Sequence, residues 1–117
     1  MDLTADTFFS ALSHDVRRRS LLLLQTQGEL CVCELTRALG ISQPMLSRHL
    51  ALLREAGLVS DRRAGVWIYY AINPDLPQWA RTVLVASAEG VRAQQPFISD
   101  LQALLDMPNR PGARCCA

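Results

Sequence analysis

A mainly helical domain that closes on a small β-hairpin is predicted by three observations. Apolar residues recur at helical spacing in six segments, and glycines and prolines punctuate those segments. Only residues 58–72 change to the β-branched and aromatic composition of strands. The chain has 117 residues, 50% apolar and 20% charged, which suits one soluble domain and excludes a disordered or fibrous chain.

The first helix runs from Asp6 to Ser13, with Phe8, Phe9, Ala11 and Leu12 as its apolar positions. Asp15 opens the second with an acid in its first turn, and the run Leu21–Leu24 carries it to about Gln27, where Gly28 stops it. A third helix from Cys31 to Leu39 sets Val32, Leu35 and Leu39 at i, i+3 and i+7, and Gly40 ends it. The turn Gly40-Ile41-Ser42 leads straight into a fourth helix. There Ser42 is the N-cap, and Pro44 sits in the first turn, where a missing N–H costs nothing. At about 100° per residue, Leu46, Leu50 and Leu53 form one stripe. Ser47, Arg48 and Ala51 face away from it, with Gln43 and His49 on the flanks.

Strands follow at 58–62 and 66–72, joined by a short turn holding Gly65, so that Arg62-Arg63-Ala64-Gly65 forms a basic tip. A long helix is expected from Pro77 to about Gln94, with Trp79, Val83, Leu84 and Ala86 on its apolar side. Pro96 breaks it, and a last helix covers 97–106. Residues 1–106 are thus expected to form one domain. Residues 107–117, with Pro108, Pro111 and Gly112, form a flexible tail.

The net charge of +1 is too small to argue for nucleic acid by itself. Its placement says more. All twelve basic residues are arginine, and residues 37–66 hold five of them against two acids, whereas the flanking segments are acidic or neutral. No basic flank and apolar run mark a signal peptide, and no apolar stretch approaches membrane-spanning length. A cytoplasmic protein without a membrane partner is expected, its four cysteines reduced.

Two helices joined by a tight turn, then a hairpin with arginines at its tip, make the layout of a winged helix-turn-helix. A helix fits the major groove, and the wing can set arginine on phosphate or in the minor groove. A helix-turn-helix used for protein contact is the competing reading; steep salt dependence of operator binding separates the two. Arg17, Arg18 and Arg19 offer phosphate contacts or a solvated helix face. No Cys–His signature, phosphate-cradling glycine loop or carboxylate-rich metal motif supports an enzyme.

The run Glu29–Leu35, with Cys31 and Cys33, followed by 42–50, 53–59 and Arg62–Trp67, closely resembles the ArsR/SmtB family of metal- and metalloid-sensing repressors, most of all its arsenic-responsive branch. The resemblance covers roughly residues 5–80. It implies a homodimer joined by the first and fifth helices, double-stranded operator DNA as partner, and an inducer that releases it. No cofactor is required. Carried over position by position, the DNA-reading residues are Ser42, Gln43, Ser47, Arg48 and His49, with Arg62, Arg63 and Gly65 in the wing. His49 is either a base contact or a half-buried histidine.

Cys31 and Cys33 are either small packed hydrophobes or, as the resemblance implies, thiolate ligands for As(III) or Sb(III). A helix start is expected to favour the thiolate. Residues two apart on a helix point about 200° from each other. If both lie in the third helix, binding must unwind its first turn and so misplace the reading helix. Many arsenic-responsive members carry a third cysteine three residues after the second, where this chain has Thr36. Cys115 and Cys116 are a source of a third ligand, a separate site for organic arsenicals, or incidental. The histidines and carboxylates that zinc- and nickel-sensing relatives place on the fifth helix are not matched, because the histidines here are His14 and His49. Cadmium- or lead-type sensing and thiol redox sensing remain as alternatives.

Overall fold

Leu21, Leu22, Leu23 and Leu24 are all buried, which makes the helix that carries them the centre of the core. A helix apolar on every side must be surrounded. The computed structural model describes residues 3–110. Its elements are α1 (Ala5–Ser13), α2 (Asp15–Gln27), β1 (Leu30–Cys31), α3 (Val32–Leu39), α4 (Gln43–Glu55), β2 (Val59–Ala64), β3 (Trp67–Ile72), α5 (Gln78–Val91) and α6 (Phe97–Leu105). The leucine-rich α2 packs against every other helix and against β3.

The expected fold class is therefore observed, with local corrections. A two-residue strand, β1, was not foreseen; it joins the hairpin to give a three-stranded antiparallel sheet in the order β1-β3-β2. Leu30 pairs with Tyr70 and Cys31 with Tyr69. The third helix accordingly begins at Val32, and Cys31 is its N-cap in extended conformation rather than its first helical residue. The hairpin is longer than expected. Ala64 pairs with Trp67, so Gly65 and Val66 alone make the turn, and Arg62 and Arg63 lie within a strand. Gly65 takes φ +62°, which a residue with a Cβ adopts only under strain.

The helix-turn-helix itself is as expected. Gly40 closes α3 at φ 68°, ψ 32°, and Ser42 caps α4 by accepting from the Met45 N–H. Leu46, Leu50 and Leu53 are buried to the last atom. On α5 the buried stripe is Ala80, Leu84 and Ala88, whereas Trp79 and Ala86 are exposed and Val83 half-buried. On α1 Phe8 and Ala11 are buried and Phe9 is exposed. Phe8, Ala11 and Leu84 are buried as read from the sequence, whereas Phe9, Trp79 and Ala86 are not and Ala80 and Ala88 take their place on α5, because a neighbour decides which side of an apolar helix is covered.

Arg17, Arg18 and Arg19 are half-buried and make hydrogen bonds within the fold, so they are not a simple solvated face. The last turn of a helix leaves carbonyls without partners, and two of these arginines supply them for α1. Arg17 donates to Ala11 O at 3.1 Å and Ser10 O at 3.2 Å, and Arg18 donates to Leu12 O at 3.0 Å. Arg19 instead reaches Asp100 of α6 through two hydrogen bonds, at 2.8 and 2.6 Å, and also holds Leu39 O at the end of α3. Asp100 is only 2% exposed.

Candidate DNA-reading face and cysteine site

The outward side of α4 carries Ser42, Gln43 and Arg48 exposed and Ser47 half-buried, as the helical wheel requires. His49 is half-buried and engaged at the junction with α2. Its ring lies 4.1 Å from that of His14, and Arg17 Nη1 approaches its Nδ1 at 3.3 Å. Burial first, then the charges of His14, Arg17 and Arg48, hold its pKa below the ordinary histidine value. The unfolded chain therefore binds the His49 proton more readily than the folded one. This histidine contributes nothing above its ordinary pKa and takes stability away as the pH falls from there toward the lower folded value. Urea midpoints measured between pH 7.5 and 5 should fall, and His49→Gln should flatten that slope; an unchanged slope would discharge His49 from the effect.

In the wing the two arginines differ. Arg62 is fastened to Glu29 by two 2.7 Å hydrogen bonds and lies 4.6 Å over the Tyr69 ring. Arg63, next along the strand, is exposed and makes no ion pair among the described residues. Arg54 at the end of α4 pairs with Asp61 at 3.0 Å and also donates to Tyr70 Oη. Glu29 was not singled out in the sequence, since an acid before a helix gives no sign of a partner thirty-three residues away.

Because Cys31 is a cap rather than a helical residue, its side chain turns back over the helix. The two sulfurs lie 2.8 Å apart, and Cys31 Sγ accepts from the Cys33 N–H at 3.4 Å. The expected 200° divergence is thereby corrected: both sulfurs face one point while α3 stays intact. Cys31 is 2% exposed and Cys33 half-buried. The expectation of a readily formed thiolate is corrected at Cys33. Burial, then the hydrogen bond and charge of Cys31, push the Cys33 thiol up to about 12. Desolvation outweighs the helix start here.

The cap is reciprocal. Cys31 N donates to Glu34 Oε1 at 2.7 Å, completing a capping box in which cysteine replaces the usual serine. Glu34 is wholly buried, and its second oxygen accepts from Arg110 Nε at 2.7 Å. An acid three residues after a cap was the available signal for Glu34. The segment expected as a tail is thus engaged as far as Arg110; Cys115 and Cys116 lie outside the described residues. Thr36, at the place of the missing third cysteine, donates its hydroxyl to Cys33 O at 2.9 Å. Among the described residues no three His, Cys, Asp or Glu side chains gather to hold a metal ion, and no helix is long and apolar enough to cross a membrane.

A helix-turn-helix flanked by a paired wing, with unpaired arginines on its outward side, defines a winged-helix DNA-binding protein. Comparison with known proteins places it more narrowly. The bacterial regulatory protein arsR family matches residues 14–61. The arsenic resistance transcriptional regulator ArsR1 of Pseudomonas putida is 48% identical over 110 residues, covering 93% of this chain and 84% of that protein. The arsenical resistance operon repressor of Escherichia coli is 50% identical over 76 residues, 65% of each chain. Among solved structures, the homodimeric winged helix-turn-helix domain Mb0332 from Mycobacterium bovis is 31% identical with a TM-score of 0.61, covering 77% of this chain and 83% of that one. The chain belongs to the ArsR family and is a transcriptional regulator, not an enzyme.

Proposed function

We propose that the chain is a cytoplasmic, homodimeric repressor. It binds operator DNA through α4 and the wing, and leaves it when As(III) or Sb(III) is held by Cys31 and Cys33. The names of the relatives support the metalloid. The observation that carries the mechanism is the position of Cys31. One residue is the β1 partner of the wing strand, the N-cap of the first helix of the helix-turn-helix, and the anchor of the Glu34–Arg110 pair.

Engaging its sulfur takes the cap from the Cys33 N–H and pulls on β3 and α3 together. The result is a wing and a reading helix displaced relative to each other, with no need for α3 to unwind. A pair of thiols suits arsenous acid, whose hydroxyls can leave as water with the thiol protons. A third sulfur from Cys115 or Cys116 is compatible with the length of chain beyond Arg110.

On DNA, Ser42, Gln43, Ser47 and Arg48 face the base edges. Arg63 touches phosphate, and Gly65 lets the hairpin tip turn close to the backbone. Dimerisation joins α1 and α5 of two copies, where Phe9 (53% exposed) and Trp79 (42%) form an aromatic surface around buried Phe8, 5.1 Å from each ring.

Fluorescence anisotropy on a promoter fragment, titrated with arsenite, antimonite, cadmium and zinc, tests the whole scheme. Release by zinc but not arsenite would sink it. In the same assay Arg63→Ala should weaken binding to all sequences and lower the salt slope by about one per protomer. Arg62→Ala should do less, since Glu29 already neutralises that side chain.

A further inference from the structure

The middle strand of the sheet separates two residues of opposite charge. Glu29 stands immediately before β1 and Arg62 lies on β2, with β3 between them. Two strand spacings, about 10 Å, divide the outer strands, so only two long side chains meet across the middle one. Glu29 and Arg62 do so through both carboxylate oxygens and two guanidinium nitrogens, each at 2.7 Å, with the guanidinium 4.6 Å over the ring of Tyr69, the β3 partner of Arg62. Successive residues of a strand face opposite sides of the sheet, which leaves Arg63 outside this pairing. Glu29 and Arg62 both remain exposed. Resting on the reading of the wing as a DNA contact, we propose that Glu29 competes with DNA phosphate for Arg62 and so sets how tightly the wing holds a duplex.

The geometry of the fork is the chemical reason. A guanidinium takes a carboxylate or a phosphate through the same parallel N–H donors, so Arg62 cannot hold both in full. An exposed ion pair holds weakly enough for a phosphate to displace it. The freed carboxylate of Glu29 then stays close to the duplex. The exchange neutralises no net backbone charge and adds little to the salt slope. Phosphate contacts carry no sequence information, so this restraint acts on operator and on other DNA alike. Glu29 is thus a positioning residue for Arg62 and not itself a DNA contact. A purely structural clasp has the opposite sign, because its removal loosens the sheet and weakens binding.

Fluorescence anisotropy of the full chain, without added arsenite, on the promoter fragment and on a scrambled duplex across a salt series tests the competition. Glu29→Gln should tighten both duplexes by about tenfold for each protomer at roughly 0.1 M salt, and raise the salt slope by about one per protomer, as one further phosphate contact requires. Glu29→Asp keeps the charge but is shorter by one methylene, and should give part of the same gain. In an Arg62→Ala background, Glu29→Gln should change little. An equal gain in that background, with Glu29→Asp no different from the parent, would show that only the charge of Glu29 acts and would overturn the competition. Unchanged or weaker binding by Glu29→Gln would overturn it as well, a lower urea midpoint then marking a structural clasp. Absence of steeply salt-dependent binding by the unaltered chain would instead overturn the DNA-binding reading on which the competition rests.

Discussion

Arg19→Met is expected to cost roughly 3–5 kcal/mol, a large part of the stability of a domain this size. Asp100 is almost wholly buried, and its two side-chain hydrogen bonds both come from Arg19. Methionine keeps much of the side-chain volume but leaves the buried Asp100 carboxyl without either of its hydrogen bonds from Arg19. The reverse change is milder, since Arg19 retains Asp15 and Leu39 O and has a path to water. The double variant Arg19→Met/Asp100→Leu should therefore recover most of the loss, because removing a buried pair together is far cheaper than removing half of it. Urea unfolding at fixed protein concentration reads both, as a shift in midpoint at constant slope. A single-variant loss under about 1 kcal/mol would mean that water reaches Asp100.

Cys31→Ser should separate the two duties of that residue. Serine is a good N-cap, so the capping box with Glu34, the start of α3 and operator affinity should all persist. Arsenite-induced release should not. Holding one atom with two thiols rather than one gains an intramolecular second bond, and losing it should weaken arsenite by about 10²–10⁴-fold. Cys33→Ser should match it in the inducer titration. Release that remained at wild-type arsenite concentrations in either variant would move the site elsewhere in the chain. Loss of operator binding in Cys31→Ser would show that the sulfur itself, and not merely a cap, holds the DNA-binding form.

What the sequence disclosed about these residues follows how local each determinant is. Ser42, Pro44 and the Leu46/Leu50/Leu53 stripe specify α4 from within thirteen residues, so its cap and its outward face were legible. Cys31 was not, because a two-residue strand has no period to detect. It exists only through its pairing with Tyr69 and Tyr70, remote in the chain. A helical Cys31 would point its sulfur away from that of Cys33 and require unwinding to share a ligand, whereas an N-cap Cys31 does not. The arginine run was less legible. Composition shows three charges, but only the fold shows the carbonyls of Ser10, Ala11 and Leu12 and the buried Asp100 that they reach. Within the middle third, where the positive charge is concentrated, Arg48 and Arg63 have no ion-pair partner among the described residues, whereas Arg54 and Arg62 are paired.

The arginine clasp between α1 and α2 also bears on measurement of length. Arg17 touches the end of α1 with two of its nitrogens and His49 of α4 with the third, so the helix proposed to meet the second protomer is braced to the helix proposed to meet the bases. In the proposed dimer, two such braced arms would act as a calliper whose gap is set before any DNA arrives. A calliper tolerates little error in what it grips: adding one base pair between operator half-sites changes both their separation and their rotation about the duplex axis, and a stiff pair of arms has no joint with which to follow.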